Sequence, residues 1–246
     1  MGPDRAASPK AADDWFLWPF ARSRTVVILF ILVVIALVFF RNYPQVDLAV
    51  SRYFFTQIPC PEGPLVCGSF EAAHSTVLNG LRDVFHILPP AVAVALAIGI
   101  LARQRRDAGP SDGFSAGAAA AIASLALASI VIVNVALKDV WGRPRPINTD
   151  LFGGNLPFVP AGKFSRYCVD NCSFVSGEAS AGFWLLAVAA LTPPRWRIVA
   201  LVAALASAIV IAALRVSFGA HYLSDVVLAG LITLLTFSIL AWTARH

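Results

Sequence analysis

Arg215-Val-Ser-Phe-Gly-Ala-His221-Tyr-Leu-Ser-Asp225 is a polar break between two apolar runs, residues 197–214 and 224–243. Each run approaches the roughly 20 residues that a helix needs to cross a bilayer, so the break reads as a tight turn between two spans at one membrane face. Four more such runs lie near 25–40, 86–102, 114–137 and 174–192. Hydrophobic residues make up 58% of the 246 residues and charged ones 13%, and the mean hydropathy is +0.74. These values remove the chain from the soluble globular class. The predicted fold is all-α: a six-transmembrane-helix bundle over 25–246 with loops capping a site at one end, preceded by a tail and interfacial segment over 1–24.

An even number of spans puts both termini on one side, and basic residues near span ends stay cytoplasmic. Arg22 and Arg24, then Arg103, Arg105 and Arg106, then Arg195 and Arg197, then Arg245 mark that side. The long segments 41–85 and 138–173 and the 215–223 turn then face the periplasm, across a bacterial inner membrane. Residues 1–14 read as a polar disordered tail, and Trp15-Phe-Leu-Trp18-Pro-Phe20 as an aromatic segment at headgroup level. No cleavable signal peptide is expected, because the first apolar run starts late and is long. Residues 48–55 predict a short helix on the membrane surface, and 104–113 a flexible connector.

Lys138, Arg143, Arg145, Lys163, Arg166 and Arg215 break the charge rule, and cations kept on the outer side need a task. The net charge of +5 is divided between topology and this cluster, so it is no nucleic-acid footprint. All four cysteines lie in outer segments. In an oxidising compartment the close pairs Cys60 with Cys67 and Cys168 with Cys172 read as two local disulfides; free thiols or a metal site are the other readings. The Cys60–Cys67 loop and the 146–172 loop are expected to cap the site.

Within the opening stretch, His221 is placed as a nucleophile, Arg215 as a fixed cation for an oxyanion or phosphate, and Asp225 as the group that holds the imidazole in one tautomer. Upstream, two X-Pro steps hold Arg143-Pro-Arg145-Pro146 extended. Ser176 and Gly177 open the fourth span, where unpaired amides and the helix dipole cradle an anion. Lys138, Arg145 and Arg215 end three spans on the same side and can converge on it. No carboxylate cluster of the kind magnesium requires is present, so neither metal nor cofactor is expected. The donor set fits a tetrahedral phosphate, and the mechanism it predicts is double displacement through a phosphohistidine, with Asp225 stabilising the imidazolium.

Lys138 with six residues before Arg145-Pro146, then Ser176-Gly177 opening a helix, then Arg215 with five residues before His221 and three more before Asp225, resembles the three-part signature of the type 2 phosphatidic acid phosphatase superfamily. The match covers about residues 138–225 in the right order. The resemblance implies a metal-independent phosphatase of lipid phosphates with Lys138, Arg145, Ser176, Gly177, Arg215, His221 and Asp225 in its site. Three positions depart from the pattern: Leu214 stands where the family has serine, and Val175 and Glu178 replace the proline and histidine of Pro-Ser-Gly-His. That histidine is the family's leaving-group acid, so Glu178 is expected to serve as acid/base, which requires burial to raise its pKa against nearby cations.

Arg143 has no place in the signature and is expected to bind a second acidic group or headgroup, or to face water. Asp139 is a partner for one of the arginines, Lys163 and Arg166 reach further anionic groups or are solvated, and His74 and His86 lie outside the motifs. The wording Cys172-Ser-Phe-Val-Ser-Gly-Glu-Ala-Ser180 resembles the branch containing bacterial lipid A phosphatases. The expected substrate is therefore a lipid phosphate in the bilayer, with lipid A first and undecaprenyl diphosphate second. Transfer to a second lipid, or an inactive phosphate-binding membrane protein, are the readings from other classes. Oligomeric state is not legible.

Overall fold

The structure is a computed structural model, and it describes residues 20–60, 66–105, 113–129 and 141–245. The chain is mostly helical there. Four helices are long and apolar enough to cross a membrane: α1 (Ser23–Asn42), α3 (Thr76–Gln104), α6 (Pro194–Ser217) and α7 (Leu223–Arg245). Two shorter apolar helices, α4 (Gly113–Leu125) and α5 (Gly177–Ala189), fall where the third and fourth spans are predicted. The end of the predicted third span, the aromatic segment at 15–18 and most of the connector at 104–113 lie outside the described residues.

Helix boundaries follow local chemistry. The helix α3 starts well before the predicted residue 86, because Ser75 caps it by accepting a hydrogen bond from the Leu78 amide at 3.4 Å. Pro89 and Pro90 lie inside it, tolerated as membrane helices tolerate them. The predicted surface helix is α2 (Pro44–Phe54), with proline at its first position, where the lost N–H costs nothing. Its Asp47 and Ser51 are fully buried, so this helix docks inward through polar residues.

The centre of the bundle is α5, packed between α6 and α7. Small residues allow the approach: a Cβ on Gly182 would meet Ile211 and Ala208 of α6, and one on Gly230 would meet the Phe183 ring. Polar side chains at the heart of this apolar interior pair with one another, as hydrocarbon surroundings favour. Ser180 Oγ lies 2.8 Å from Ser129 Oγ and 2.7 Å from Thr233 Oγ1, which itself donates to the Ala229 carbonyl at 2.7 Å. Trp184 Nε1 donates to the Ala121 carbonyl at 2.7 Å. Helices α1, α3 and α6 turn large apolar residues outward, among them Phe30, Val84 and Ile198, the pattern of a lipid-facing surface.

One end of the bundle carries nearly all the irregular structure. After α2 comes a two-stranded antiparallel hairpin, β1 (Thr56–Ile58) with β2 (Cys67–Ser69), in the register Thr56↔Ser69, Gln57↔Gly68 and Ile58↔Cys67. Cys60 and Cys67 form a disulfide at its base, and Cys168 and Cys172 form a second in the 141–176 loop. Phe55, Phe70 and Phe152 pack with ring centroids 5.3–5.6 Å apart, and with Tyr222 they join the hairpin and the loop to the α6–α7 turn. The 146–172 loop and the strands that flank the Cys60–Cys67 loop therefore lie against the turn read first in the sequence, while residues 61–65 of that second expected cap lie outside the described residues.

Candidate active site

The α6–α7 turn is closed by its own backbone. Helix α6 stops because Gly219 takes φ +64°, and the amides of both Ala220 and His221 then donate to the Arg215 carbonyl at 3.2 Å. The Gly219 carbonyl accepts from the Ile147 amide at 3.0 Å, and a Cβ at this position would overlap the Phe70 ring. Glycine is required for both reasons. We expect Gly219→Ala to lose about 1–3 kcal/mol of stability, read as a lower melting temperature in detergent together with a drop in activity.

His221 is 2% exposed, and its Nδ1 lies 2.8 Å from the Ser173 carbonyl. A carbonyl only accepts, so Nδ1 carries the ring proton and the lone pair belongs to Nε2. Asp225 was expected to do this directly, but its Oδ2 is 3.9 Å from Nδ1. That oxygen instead accepts from Ser173 Oγ at 2.5 Å and from the Tyr222 amide at 2.9 Å. Asp225 therefore orients His221 through Ser173, which grips the carboxylate with its hydroxyl and the imidazole with its carbonyl. Ser173 was not singled out in the sequence.

Arg143 is completely buried, so the reading in which it faces water falls, and its partners include two acidic groups of the protein itself. Its Nε donates to the Val159 carbonyl at 2.8 Å, Nη1 to Asp225 Oδ1 at 2.6 Å and Ser224 Oγ at 2.8 Å, and Nη2 to Asp47 Oδ2 at 2.8 Å. Its guanidinium lies 4.2 Å from the Tyr222 ring centroid. Burial works against the Arg143 charge, but the carboxylates of Asp225 and Asp47 outweigh it and hold its pKa above the ordinary value. Burial pushes the neighbouring Tyr222 hydroxyl upward in turn. Asp47 also accepts from the Ser224 amide at 2.8 Å, so it anchors the start of α7 where the helix dipole favours an anion. The signal for Asp47 was a single acid inside an otherwise apolar turn of the surface helix.

Arg145 differs from its neighbour two residues back. Its Nε and Nη2 donate to the carbonyl and Oδ1 of Asn171, at 3.0 and 2.6 Å, within the ring closed by Cys168–Cys172. Burial lowers its pKa, an effect that the carboxylates of Glu178 and Asp225 offset only in part. Its hydrogen bonds go to neutral acceptors, so its charge remains available to an anion.

Ser176 caps α5 by accepting from the Ala179 amide at 3.3 Å, and Gly177 is the first helical residue, as expected. Glu178 stands between two arginines. Its Oε1 receives Arg82 Nη2 at 2.6 Å and lies 3.4 Å from Arg215 Nη1, and its Oε2 receives Arg82 Nε at 3.1 Å. An ion pair with two guanidiniums is a pair only for the carboxylate, which has no proton to donate. Arg215 is 8% exposed, and among the described residues its buried Nε has no hydrogen-bond partner. The structure thus brings Glu178, Arg215, His221 and Asp225 to one end of α5, α6 and α7, with Arg145 on the loop beside them. Lys138 and Asp139 lie outside the described residues. Lys163 and Arg166 are exposed on the capping loop.

A buried histidine with a fixed tautomer, beside cations and a helix N-terminus, is equipped for attack on a phosphorus centre. A family model described as the PAP2 superfamily matches residues 118–246, which include this whole constellation except Asp47 and Arg82. The chain belongs to the PAP2 superfamily. This is the family whose signature the motif spacing resembled. A lipid A 4'-phosphatase of Rhizobium leguminosarum is 38% identical over 205 residues, covering 82% of this chain and 88% of the relative. Its counterpart in Rhizobium etli is also 38% identical, over 82% of this chain and 80% of the relative. A lipid A 4'-phosphatase of Francisella tularensis subsp. novicida is 43% identical over 102 residues, 41% of this chain and 46% of that protein. No solved structure matches.

Proposed function

We propose that this PAP2 protein is a membrane phosphatase of lipid phosphates, and that its substrate is lipid A, from which it removes the 4'-phosphate. The observation that carries this reading is the likeness to two lipid A 4'-phosphatases over four-fifths of the chain, in a protein whose described motif residues lie together at one end of the bundle. His221 Nε2 attacks phosphorus, the bond to the lipid oxygen breaks, and water then hydrolyses the phosphohistidine. Arg145, Arg215, Lys138 and the amides at the start of α5 stabilise the charge on the equatorial oxygens. Six spans, cytoplasmic termini and a capped end facing the periplasm complete the proposal. The two disulfides at that end support it, since such bonds persist in oxidising compartments.

The test is phosphate release by the detergent-solubilised protein from a panel of lipid phosphates, including lipid A, undecaprenyl diphosphate and phosphatidate, with EDTA present. Lipid A should be turned over fastest, with its 4'-phosphate lost and the metal chelator without effect. Loss of activity in EDTA would sink the mechanism, and preference for another lipid would replace the substrate. Sealed vesicles of known orientation settle the sidedness: turnover of outside substrate only by inverted vesicles would overturn the periplasmic assignment.

A further inference from the structure

Arg82 lies on α3, 96 residues from Glu178 and outside all three signature segments, yet its side chain reaches the candidate site. It and Arg215 meet the same oxygen, Glu178 Oε1, at 2.6 and 3.4 Å. The Arg82 side chain is 31% exposed and that of Glu178 18%, so the cluster stands at the edge of the buried site. The Arg82 contact is bidentate and the Arg215 contact is loose, with Arg215 Nε unpartnered among the described residues. Two guanidiniums converging on one oxygen, with a donor left over, form a receptor for an anion carrying more oxygens and more charge than a carboxylate.

We propose that Arg82 is a further phosphate ligand of this site, and that Glu178 is a positioning residue whose carboxylate holds Arg82 and Arg215 together until a phosphate group takes them. The proposal rests on the phosphatase reading and deepens it. A tetrahedral phosphate dianion can accept from Arg82, from Arg215 Nη1 and from Arg215 Nε at once, which the Glu178 carboxylate does not do. Glu178 then competes with the substrate phosphate for the arginines, and the two residues have opposite effects on anion affinity although they form one ion pair.

That opposition is the test, with inorganic phosphate as the probe. Its dissociation constant is read from phosphate-induced thermal stabilisation of the detergent-solubilised protein, and independently as competitive inhibition of turnover. Arg82→Ala should weaken phosphate binding by about tenfold or more and raise KM more than it lowers kcat. Arg82→Lys should lose clearly less affinity than Arg82→Ala, since it keeps the charge but not the bidentate fork. Glu178→Gln should tighten phosphate binding severalfold. If the pair is merely structural, Arg82→Ala and Glu178→Gln will weaken binding alike, and the proposal falls. It also falls if neither changes the constant. Should Arg82→Ala fail to fold, Arg82→Gln against Arg82→Lys gives the same comparison. A wild type that binds phosphate through Arg82 but hydrolyses no lipid phosphate would sink the phosphatase reading and leave this inference standing.

Discussion

Replacing His221 with alanine is expected to lower phosphate release from lipid A by at least about 10⁴-fold, the scale of losing a nucleophile whose partners act as a unit. The reason lies in the tautomer. With Nδ1 committed to the Ser173 carbonyl, Nε2 is the ring's one basic atom, and no neighbouring group can take over its bond to phosphorus. The variant should still bind inorganic phosphate, because the arginines remain. Quenching the wild type during turnover of radiolabelled substrate should trap label that is acid-labile and alkali-stable, as a phosphoramidate is, and none in His221→Ala. Turnover within tenfold of wild type would remove His221 as nucleophile. Ser173→Ala gives a graded counterpart: its carbonyl stays, but its hydroxyl no longer ties Asp225 to the imidazole.

The largest loss of stability is expected from Arg143→Met. This change leaves two completely buried carboxylates, Asp47 and Asp225, without the cation that joins them. Breaking a buried pair by removing one partner costs about 3–5 kcal/mol. Asp47→Leu should cost less, because Arg143 keeps Asp225, Ser224 and the Val159 carbonyl. The two changes together should be less than additive, since both disrupt one network. Thermal unfolding in detergent, followed by tryptophan fluorescence, checks the order. A headgroup ligand would behave otherwise: Arg143→Met would then melt like the wild type and only raise KM.

The apolar runs, the turn at 215–225 and the start of α5 were legible because each is local. A span, a helix cap and a motif spacing can all be read within about twenty residues. Arg143 and Arg145 show where that ends. They are two residues apart on the same extended backbone, and the motif spacing assigns a role to Arg145 alone, yet Arg143 meets carboxylates from α2 and α7 while Arg145, among the described residues, hydrogen-bonds to Asn171. The partners of Arg143 were not legible locally, because they come from segments 96 and 82 residues away. Glu178 was legible as a departure from the motif, but its partner Arg82 was not, since an arginine near the start of an apolar run reads as an interfacial anchor. Asp225 stands four residues from His221 in the motif, but its route to the imidazole runs through a serine whose hydroxyl and carbonyl point to different partners.

The bond between Asp47 and Ser224 crosses 177 positions of the chain, and this sets an order of events during synthesis. Helix α2 emerges early, and its carboxylate waits for Arg143 and then for α7. Until that helix is inserted, the imidazole has neither its carbonyl partner in place nor the aspartate behind it. A truncated or stalled chain therefore displays anchoring spans and a partly assembled cap but no competent nucleophile. Phosphatase activity begins only when α7 arrives.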